Sequence, residues 1–302
     1  MAGLHFIAQE PICKGWSQDK KYRVTDAQGV HYLLRISPAE QYDRKKNEFE
    51  RMRTIAALGI PMCKPIEFGV CDAGVYSVQS WIDGTDAEEA IPALTREAQY
   101  ACGREAGRIL RKIHSVPVPE NLEEWAVRFN RKIDLKIEKY RACPFQFEDG
   151  QVFIDYINEN RSLLNDRPQV YQHGDYHRGN MRIGRDGKLY ILDFDRDDYG
   201  DPWEDMKAIT WDAILCPTFA SGRIDGYFAD SIPPEFWKLL ALYISVGMLS
   251  AILWAVPFGS DQIELFQNQA KTVLNWYDGM RNPMPIWYQK HKRPLPCPQT
   301  VN

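Results

Sequence analysis

Residues 173–205 read HGDYHRGNMRIGRDGKLYILDFDRDDYGDPWED and carry most of the information about the fold. Within them, residues 181–183 and 189–192 are short apolar runs on either side of Gly-Arg-Asp-Gly, a pattern that predicts a β-hairpin with a four-residue loop. Asn180 opens the first strand of this hairpin, and Asp193 follows the second. The two side chains should therefore emerge at the same end of neighbouring antiparallel strands, about 5 Å apart.

The polar residues in and before this hairpin suit phosphoryl transfer. An amide oxygen and a carboxylate are hard oxygen ligands for Mg²⁺, which is usually held by few protein groups together with substrate phosphates. Asp175 lies in a loop five residues before Asn180, where it can accept the proton of an attacking hydroxyl. His173 and His177 are four residues apart, but nearby glycines disfavour a helix and no H-E-x-x-H frame surrounds them. We interpret them as loop-packing histidines rather than zinc ligands.

The strings H-G-D-x-x-x-x-N, I-L-D-F-D and Y-G-D-P resemble the aminoglycoside phosphotransferase / choline kinase family of kinase-like enzymes, over roughly residues 10–210. The resemblance implies an α+β, two-lobed protein-kinase-like fold, with a small antiparallel-sheet N-terminal lobe containing one helix and a larger, mostly helical C-terminal lobe. It implies a Mg²⁺-dependent enzyme that transfers the γ-phosphate of ATP or GTP to a hydroxyl of a small molecule. On this resemblance Asp175 is catalytic, Asn180 and Asp193 hold the metal, and His173 and Asp205 support the loop.

The resemblance also implies a nucleotide site in the first third of the chain. The phosphate-binding strand of the family matches HYLLRIS, which offers Arg35 where a lysine is expected. The next helix offers Glu48 as its partner, with Glu50 as the alternative. Arginine keeps a permanent charge and binds phosphate through two N–H groups, but it is bulkier than lysine. The other implied residues are Gly15 and Ser17 in a short phosphate loop, Gln79 at the back of the pocket, and Ser80 and Ile82, whose backbone groups would bind the purine.

The hydrophobic pattern predicts strands first and helices later. Residues 22–25 and 30–36 are β-prone runs around a turn, and residues 75–82 form a further extended run. Between these runs, Phe49 and Met52 share one face of a predicted helix. The expected organisation is a nucleotide-binding N-terminal lobe, a connector, and a catalytic and substrate-binding C-terminal lobe, over residues 1–79, 80–84 and 85–302.

Composition excludes several classes of protein. The chain has 302 residues with 37 Lys and Arg against 41 Asp and Glu, so it lacks the basic excess of a dedicated nucleic-acid binder. Seven cysteines without a C-x-x-C pair, and an N-terminus without a signal-peptide pattern, favour the reducing cytoplasm. Residues 239–260 carry no charge and are long enough to span a membrane, but we interpret this lone segment as a buried core helix. We therefore expect a cytoplasmic protein with no nucleic-acid or membrane partner.

The acidic residues after the hairpin have local and functional interpretations. Asp201, followed by proline, predicts a helix start with Asp201 as the N-cap and Glu204 as the capping-box residue. Asp195, Asp197 and Asp198 have no such local explanation. They are candidates to bind an amine-bearing acceptor, and a solvated acidic face is the alternative.

The acceptor is the least determined part of this interpretation. On the resemblance, the first candidate is an aminoglycoside-type or other amine-bearing antibiotic. The runner-up is a metabolic kinase for a small alcohol such as choline, homoserine or a sugar. A nucleotide-binding pseudokinase is the third hypothesis, because Arg35 replaces the expected lysine.

Overall fold

The structure, a computed structural model, describes residues 4–13 and 19–290. The strands within these ranges are β1 (Phe6–Ile12), β2 (Lys20–Asp26), β3 (His31–Ser37), β4 (Pro65–Cys71), β5 (Gly74–Ser80), β6 (Gly84–Asp86), β7 (Val170–Gln172), β8 (Met181–Gly184), β9 (Leu189–Ile191) and β10 (Asp198–Gly200). The α-helices are α1 (Tyr42–Ala57), α2 (Ala87–Ala90), α3 (Arg96–Ile113), α4 (Trp125–Ala142), α5 (Gly150–Asn160), α6 (Ile209–Leu215), α7 (Pro217–Phe228), α8 (Pro234–Ala255) and α9 (Ser260–Trp276).

The chain forms two compact units. The N-terminal unit combines the residues up to Ala90 with Gly179–Arg196, and the C-terminal unit combines Ile91–Arg178 with the residues from Asp197 onward. The hairpin β8–β9 therefore belongs to the N-terminal unit, although a long, mostly helical segment separates the hairpin from the rest of that unit in sequence. The functional boundaries at residues 79 and 84 stay a prediction.

The N-terminal unit contains an antiparallel five-stranded sheet in the order β1-β2-β3-β5-β4. The predicted turn between β2 and β3 is closed by Asp26, whose Oδ1 accepts the backbone N–H groups of Gln28 and Val30 at 2.9 Å. On α1, Phe49 and Met52 are buried together, as their spacing predicts. The predicted sheet with one helix is confirmed.

The predicted β8–β9 hairpin is present, with Met181 opposite Ile191. Its loop is closed by a hydrogen bond of 2.9 Å from the Gly184 N–H to the Lys188 carbonyl. Gly187 adopts φ 76°, a left-handed conformation that glycine adopts without steric cost. β6 pairs with the other side of β8 and makes a three-stranded sheet.

The C-terminal unit is mostly helical, and α3 packs closely on α7. A Cβ atom on Gly103 would lie 2.1 Å from the Phe219 carbonyl oxygen, and one on Gly107 would lie 2.1 Å from the Arg223 carbonyl oxygen. The two glycines therefore allow the helices to approach backbone to backbone, and larger residues would force them apart.

Helix α8 corresponds to most of the long apolar segment. Among the described residues, Pro234–Phe258 is the one segment that could cross a membrane by length and composition, with a mean hydropathy of 2.2. Of its most apolar window, 67% is buried inside the structure. This burial fits the interpretation of a core helix that is apolar on all sides.

The predicted helix start at Asp201 is wrong. The Asp201 carboxylate accepts the Trp203 N–H at 2.8 Å, but only a short 3₁₀ turn follows, and α6 begins several residues later. Asp201 is fully buried and also accepts the Tyr243 hydroxyl at 2.7 Å. The Glu204 carboxylate contacts the Lys207 ammonium at 3.0 Å instead of turning back to Asp201. Tertiary partners thus replace the local capping box.

Candidate active site

Asp175 lies in the C-terminal unit, in the loop that follows β7. The start of this loop is fixed by Asp205, which is 1% exposed. The Asp205 carboxylate accepts the backbone N–H groups of His173 at 2.7 Å and Gly174 at 2.8 Å. It also lies 3.3 Å from Nε2 of His114. Burial acts to raise the pKa of Asp205, but the contact with His114 outweighs it and the pKa lies below its ordinary value.

We expect Asp205→Asn to lower kcat about a hundredfold and to leave the KM for nucleotide unchanged. An asparagine at this position offers one acceptor oxygen, and its NH₂ group would face a backbone N–H group. The resulting displacement of Asp175, the predicted catalytic residue, would lower the rate because reacting groups must be closely aligned. Steady-state kinetics would test this, with the exposed Asp149→Asn as the matched control. An unchanged kcat in Asp205→Asn would show that the loop does not depend on this anchor.

A second anchor holds the middle of the same loop. Asp212 and Arg223 are both fully buried, and their carboxylate and guanidinium are 2.7 Å apart. The other Asp212 oxygen accepts the Arg178 N–H at 2.9 Å, and the Arg223 guanidinium lies 4.7 Å from the ring centroid of Tyr176. The pair therefore holds the residues directly after Asp175. Sequence reasoning missed it; the only signal is an aspartate and an arginine inside apolar helices.

Asn180 and Asp193 lie at the same end of the β8–β9 hairpin, in the N-terminal unit. A hydrogen bond of 2.9 Å from the Leu192 N–H to the Asn180 carbonyl keeps the two strand ends adjacent. Asp193 adopts φ 62°, a left-handed conformation in which aspartate and asparagine are enriched. Among the described residues, no three His, Cys, Asp or Glu side chains form a metal cage. One amide and one carboxylate nevertheless fit Mg²⁺, which keeps waters and phosphate oxygens as its other ligands.

Arg35 is the centre of a charged cluster in the N-terminal unit. Its side chain is 7% exposed and contacts three carboxylates: Asp193 at 2.9 Å, Asp19 at 3.0 Å and Asp195 at 3.2 Å. Burial acts to lower the pKa of Arg35, but the carboxylates outweigh it and the pKa lies above its ordinary value. A planar guanidinium can serve several carboxylates at once, which a lysine ammonium does less well.

Lys45 connects Arg35 indirectly to its predicted partner, Glu48. The Lys45 ammonium lies 3.0 Å from Asp19 and 3.1 Å from Glu48. Glu48 raises the pKa of Arg35 through charge, but no direct ion pair joins the two side chains. The predicted pair is therefore indirect, and sequence reasoning missed Asp19 and Lys45. The i, i+3 spacing of Lys45 and Glu48 on α1 was the available signal.

The remaining nucleotide-site candidates are only partly described. Gln79 is 4% exposed and lies against Met52, with 3.7 Å between Nε2 and Sδ. The Ser80 N–H donates to the Lys64 carbonyl at 2.9 Å, so any contact of Ser80 with a purine would use its carbonyl oxygen. Ile82 is buried, at 8% exposure. The candidates in the predicted phosphate loop, Gly15 and Ser17, lie outside the described residues.

Two of the three acidic candidates for acceptor binding have basic partners. Asp195 contacts Arg35 in the N-terminal unit, and Asp198 lies 3.1 Å from Arg128 in the C-terminal unit. Asp197, which lies between these two residues in the sequence, is half-buried. The acidic run is therefore split between two charge networks.

We expect Asp19 to make the protein sensitive to acid. Burial acts to raise its pKa, but Arg35, the Ser37 hydroxyl and Lys45 outweigh it and hold the pKa at about 2. An unfolded aspartate titrates near 3.9, so this carboxylate stabilises the fold above about pH 4, and the contribution is lost as the pH falls through 2. Chemical denaturation would measure the free energy of unfolding of the wild type and of Asp19→Asn at two pH values. The advantage of the wild type should be ~2 kcal/mol smaller at pH 2 than at pH 5. A difference that is constant with pH would contradict this.

The chain is similar to a family of known enzymes and to several solved structures. The model of the phosphotransferase enzyme family matches residues 8–240. The aminoglycoside phosphotransferase APH(4)-Ia, in a ternary complex with ADP and hygromycin B, is 14% identical with a TM-score of 0.64, over 89% of this chain and 94% of that one. The amicoumacin kinase hAmiN, bound to AMP-PNP and Ca²⁺, is 17% identical with a TM-score of 0.61, over 95% and 92%.

A third solved structure, macrolide 2′-phosphotransferase type I, is 17% identical with a TM-score of 0.62, over 88% of this chain and 92% of that one. No curated protein sequence matches the chain. The likenesses confirm the predicted α+β kinase-like fold, with its N-terminal antiparallel sheet and mostly helical C-terminal part.

Proposed function

Because the chain belongs to the phosphotransferase enzyme family, we propose that it transfers the γ-phosphate of ATP or GTP, with Mg²⁺, to a hydroxyl of a small molecule. The observation that carries this proposal is the fixed loop around Asp175. Asp205 binds the backbone before Asp175, and Asp212 binds the backbone after it. Two buried carboxylates thus hold one loop whose aspartate suits the orientation of an acceptor hydroxyl.

Each residue of the site has one task in this mechanism. Asp175 orients the acceptor hydroxyl and accepts its proton as the oxygen attacks the γ-phosphate. Asn180 and Asp193 would hold Mg²⁺, which when bound neutralises charge on the phosphates. Arg35, steadied by Asp19, supplies a permanent positive charge for the phosphates.

The phosphate donor is proposed to be ATP, with GTP as the alternative. ADP and AMP-PNP are bound in the APH(4)-Ia and hAmiN structures, which supports an adenine nucleotide. The carbonyl of Ser80 and the backbone of Ile82 would bind the purine, with Gln79 behind it. Gly15 and Ser17 would face the phosphates.

The acceptor is proposed from the relatives. The similar structures are of enzymes named for, or bound to, hygromycin B, amicoumacin and macrolides. An amine-bearing antibiotic is therefore the first class of acceptor to test. A metabolic alcohol such as choline, homoserine or a sugar is the second class. Both fit an enzyme that works in the cytoplasm on a small molecule.

The proposed function is tested by acceptor-dependent release of ADP or GDP. The panel would contain hygromycin B, amicoumacin, a macrolide, choline, homoserine and glucose, with ATP and GTP assayed separately in Mg²⁺ and in EDTA. Turnover that needs both an acceptor and Mg²⁺ would support the proposal. Tight binding of nucleotide without turnover on any acceptor would favour a pseudokinase, and no nucleotide binding would overturn the proposal.

The proposed role of Asp193 as a Mg²⁺ ligand can be tested with a single substitution. We expect Asp193→Asn to raise the Mg²⁺ concentration needed for half-maximal activity by roughly ten- to a hundredfold, because it removes a charged oxygen ligand. Asparagine also tolerates φ 62°, so the backbone should be kept, which alanine would not ensure. The exposed Asp72→Asn is the matched control. An unchanged Mg²⁺ requirement in Asp193→Asn would contradict the assignment.

A further inference from the structure

One face of α4 carries a row of cations. Arg128, Lys132 and Lys136 are spaced four residues apart, so their side chains follow one another along the helix surface. We name these three residues the α4 basic row. Lys207 joins it from the segment before α6, because Lys132 and Lys207 contact the same carboxylate, that of Glu204, at 3.8 Å and 3.0 Å.

The carboxylates beside the α4 basic row offset only part of its charge. Asp198 pairs with Arg128 at 3.1 Å, and Glu204 is shared between Lys132 and Lys207. No ion pair or hydrogen bond joins the Lys136 ammonium to any described residue. With Lys207 included, four cations therefore make direct ion pairs with only two carboxylates in the described part of the chain, Asp198 and Glu204.

Lys136 is the least compensated of these cations. Burial, and then the neighbouring Lys132, lower its pKa to about 8, and Lys207 acts in the same direction. Glu204 counteracts them only in part. A partly buried ammonium beside like charges is stabilised when an anion binds to it.

The α4 basic row borders the strand that leads into the catalytic loop. Asp198 in β10 lies opposite Gln172 in β7, three residues before Asp175. The Gln172 amide donates to Glu204 at 3.3 Å. Burial acts to lower the pKa of Lys207, but the charges of Glu204, Asp205 and, least of all, Asp175 outweigh it, so the Lys207 ammonium lies within electrostatic reach of Asp175.

We propose that the α4 basic row, with Lys207, binds an anionic group of the acceptor: a carboxylate, phosphate or sulfate. This inference rests on the proposed function, because it places the anionic group on the molecule whose hydroxyl meets Asp175. It selects an acid-bearing alcohol from the candidate acceptors. A polycationic aminoglycoside would meet like charges here, which costs affinity.

The first experiment measures anion binding without turnover. Inorganic phosphate and malonate would be titrated calorimetrically into the wild-type protein saturated with MgADP, which occupies the nucleotide site. We expect saturable binding that weakens at least about tenfold in the double variant Lys132→Gln/Lys136→Gln, because hydrogen bonds to charged groups are removed. The exposed Lys238→Gln is the matched control and should bind as the wild type does.

The second experiment compares acceptors that differ in one anionic group. The pairs would be glucose with glucuronate, and glucose with glucose 6-phosphate. We expect the acid-bearing member to have the higher kcat/KM, by about tenfold or more, and the double variant to remove that advantage while it still turns over the neutral member.

The two experiments separate this inference from the proposed function. Absence of binding in the wild type, or equal binding in the double variant, would overturn the anion site whatever the turnover. Preference for a polyamine over every acid-bearing acceptor would also overturn it and would leave phosphoryl transfer intact. Absence of turnover on any acceptor would count against the proposed function alone, because calorimetry still decides whether the anion binds.

Discussion

Asp175→Asn should lower kcat about a thousandfold, within the range of a positioned general base. Asparagine has nearly the same shape but cannot accept the proton of the acceptor hydroxyl. The loop itself should persist, because its anchors are the backbone bonds to Asp205 and Asp212 rather than the Asp175 side chain. We therefore expect the affinity for nucleotide to be unchanged. Single-turnover kinetics with the identified acceptor would separate the chemical step from binding.

Two variants make this result interpretable. Asp155→Asn changes the same atoms on an exposed position of α5 and should keep the wild-type kcat. His177→Gln removes the imidazole that lies 3.5 Å from Asp175 and tests whether this contact contributes to kcat. A kcat for Asp175→Asn within about tenfold of the wild type would show that this carboxylate does not act as the base.

The parts of the site that could be predicted are those encoded locally. The β8–β9 hairpin follows from two short apolar runs and a turn with Gly187, so the placement of Asn180 beside Asp193 needed no distant information. The β2–β3 hairpin and the apolar face of α1 are local in the same sense.

The parts that were missed depend on contacts between distant segments. The guanidinium of Arg35 meets Asp193, which is 158 residues later in the chain. No periodicity in the sequence identifies such a partner. The same holds for Asp198 and Arg128, which are 70 residues apart. Counting carboxylates therefore made the acidic run look available to an amine, whereas two of its members already neutralise arginines.

The helix start at Asp201 failed for a related reason. A local capping motif typically gives about 1 kcal/mol, and a buried carboxylate with an arginine and a tyrosine as partners outweighs it. Asp201 has such partners in Arg167 and Tyr243. Local capping preferences decide a conformation only where tertiary contacts do not compete.

Arg35→Met should destabilise the fold by about 3–5 kcal/mol, the range for removal of one member of a buried charge cluster. Methionine preserves much of the side-chain volume, but it leaves Asp19, Asp193 and Asp195 without the guanidinium that all three contact. Lys45 still contacts Asp19, so the loss of the guanidinium affects mainly Asp193 and Asp195. Urea unfolding of the unliganded protein measures the change in free energy directly.

Arg35→Lys tests whether charge alone is enough at this position. One ammonium cannot contact three carboxylates with the geometry of a planar guanidinium, so we expect a loss of stability between those of the wild type and Arg35→Met. The control is Arg53→Met, which removes an arginine from an exposed pair with Glu50 and should cost no more than about 1 kcal/mol. Full stability of Arg35→Lys would show that a single positive charge is enough at this position. A loss in Arg35→Met no larger than in Arg53→Met would contradict the central role of Arg35 in the cluster.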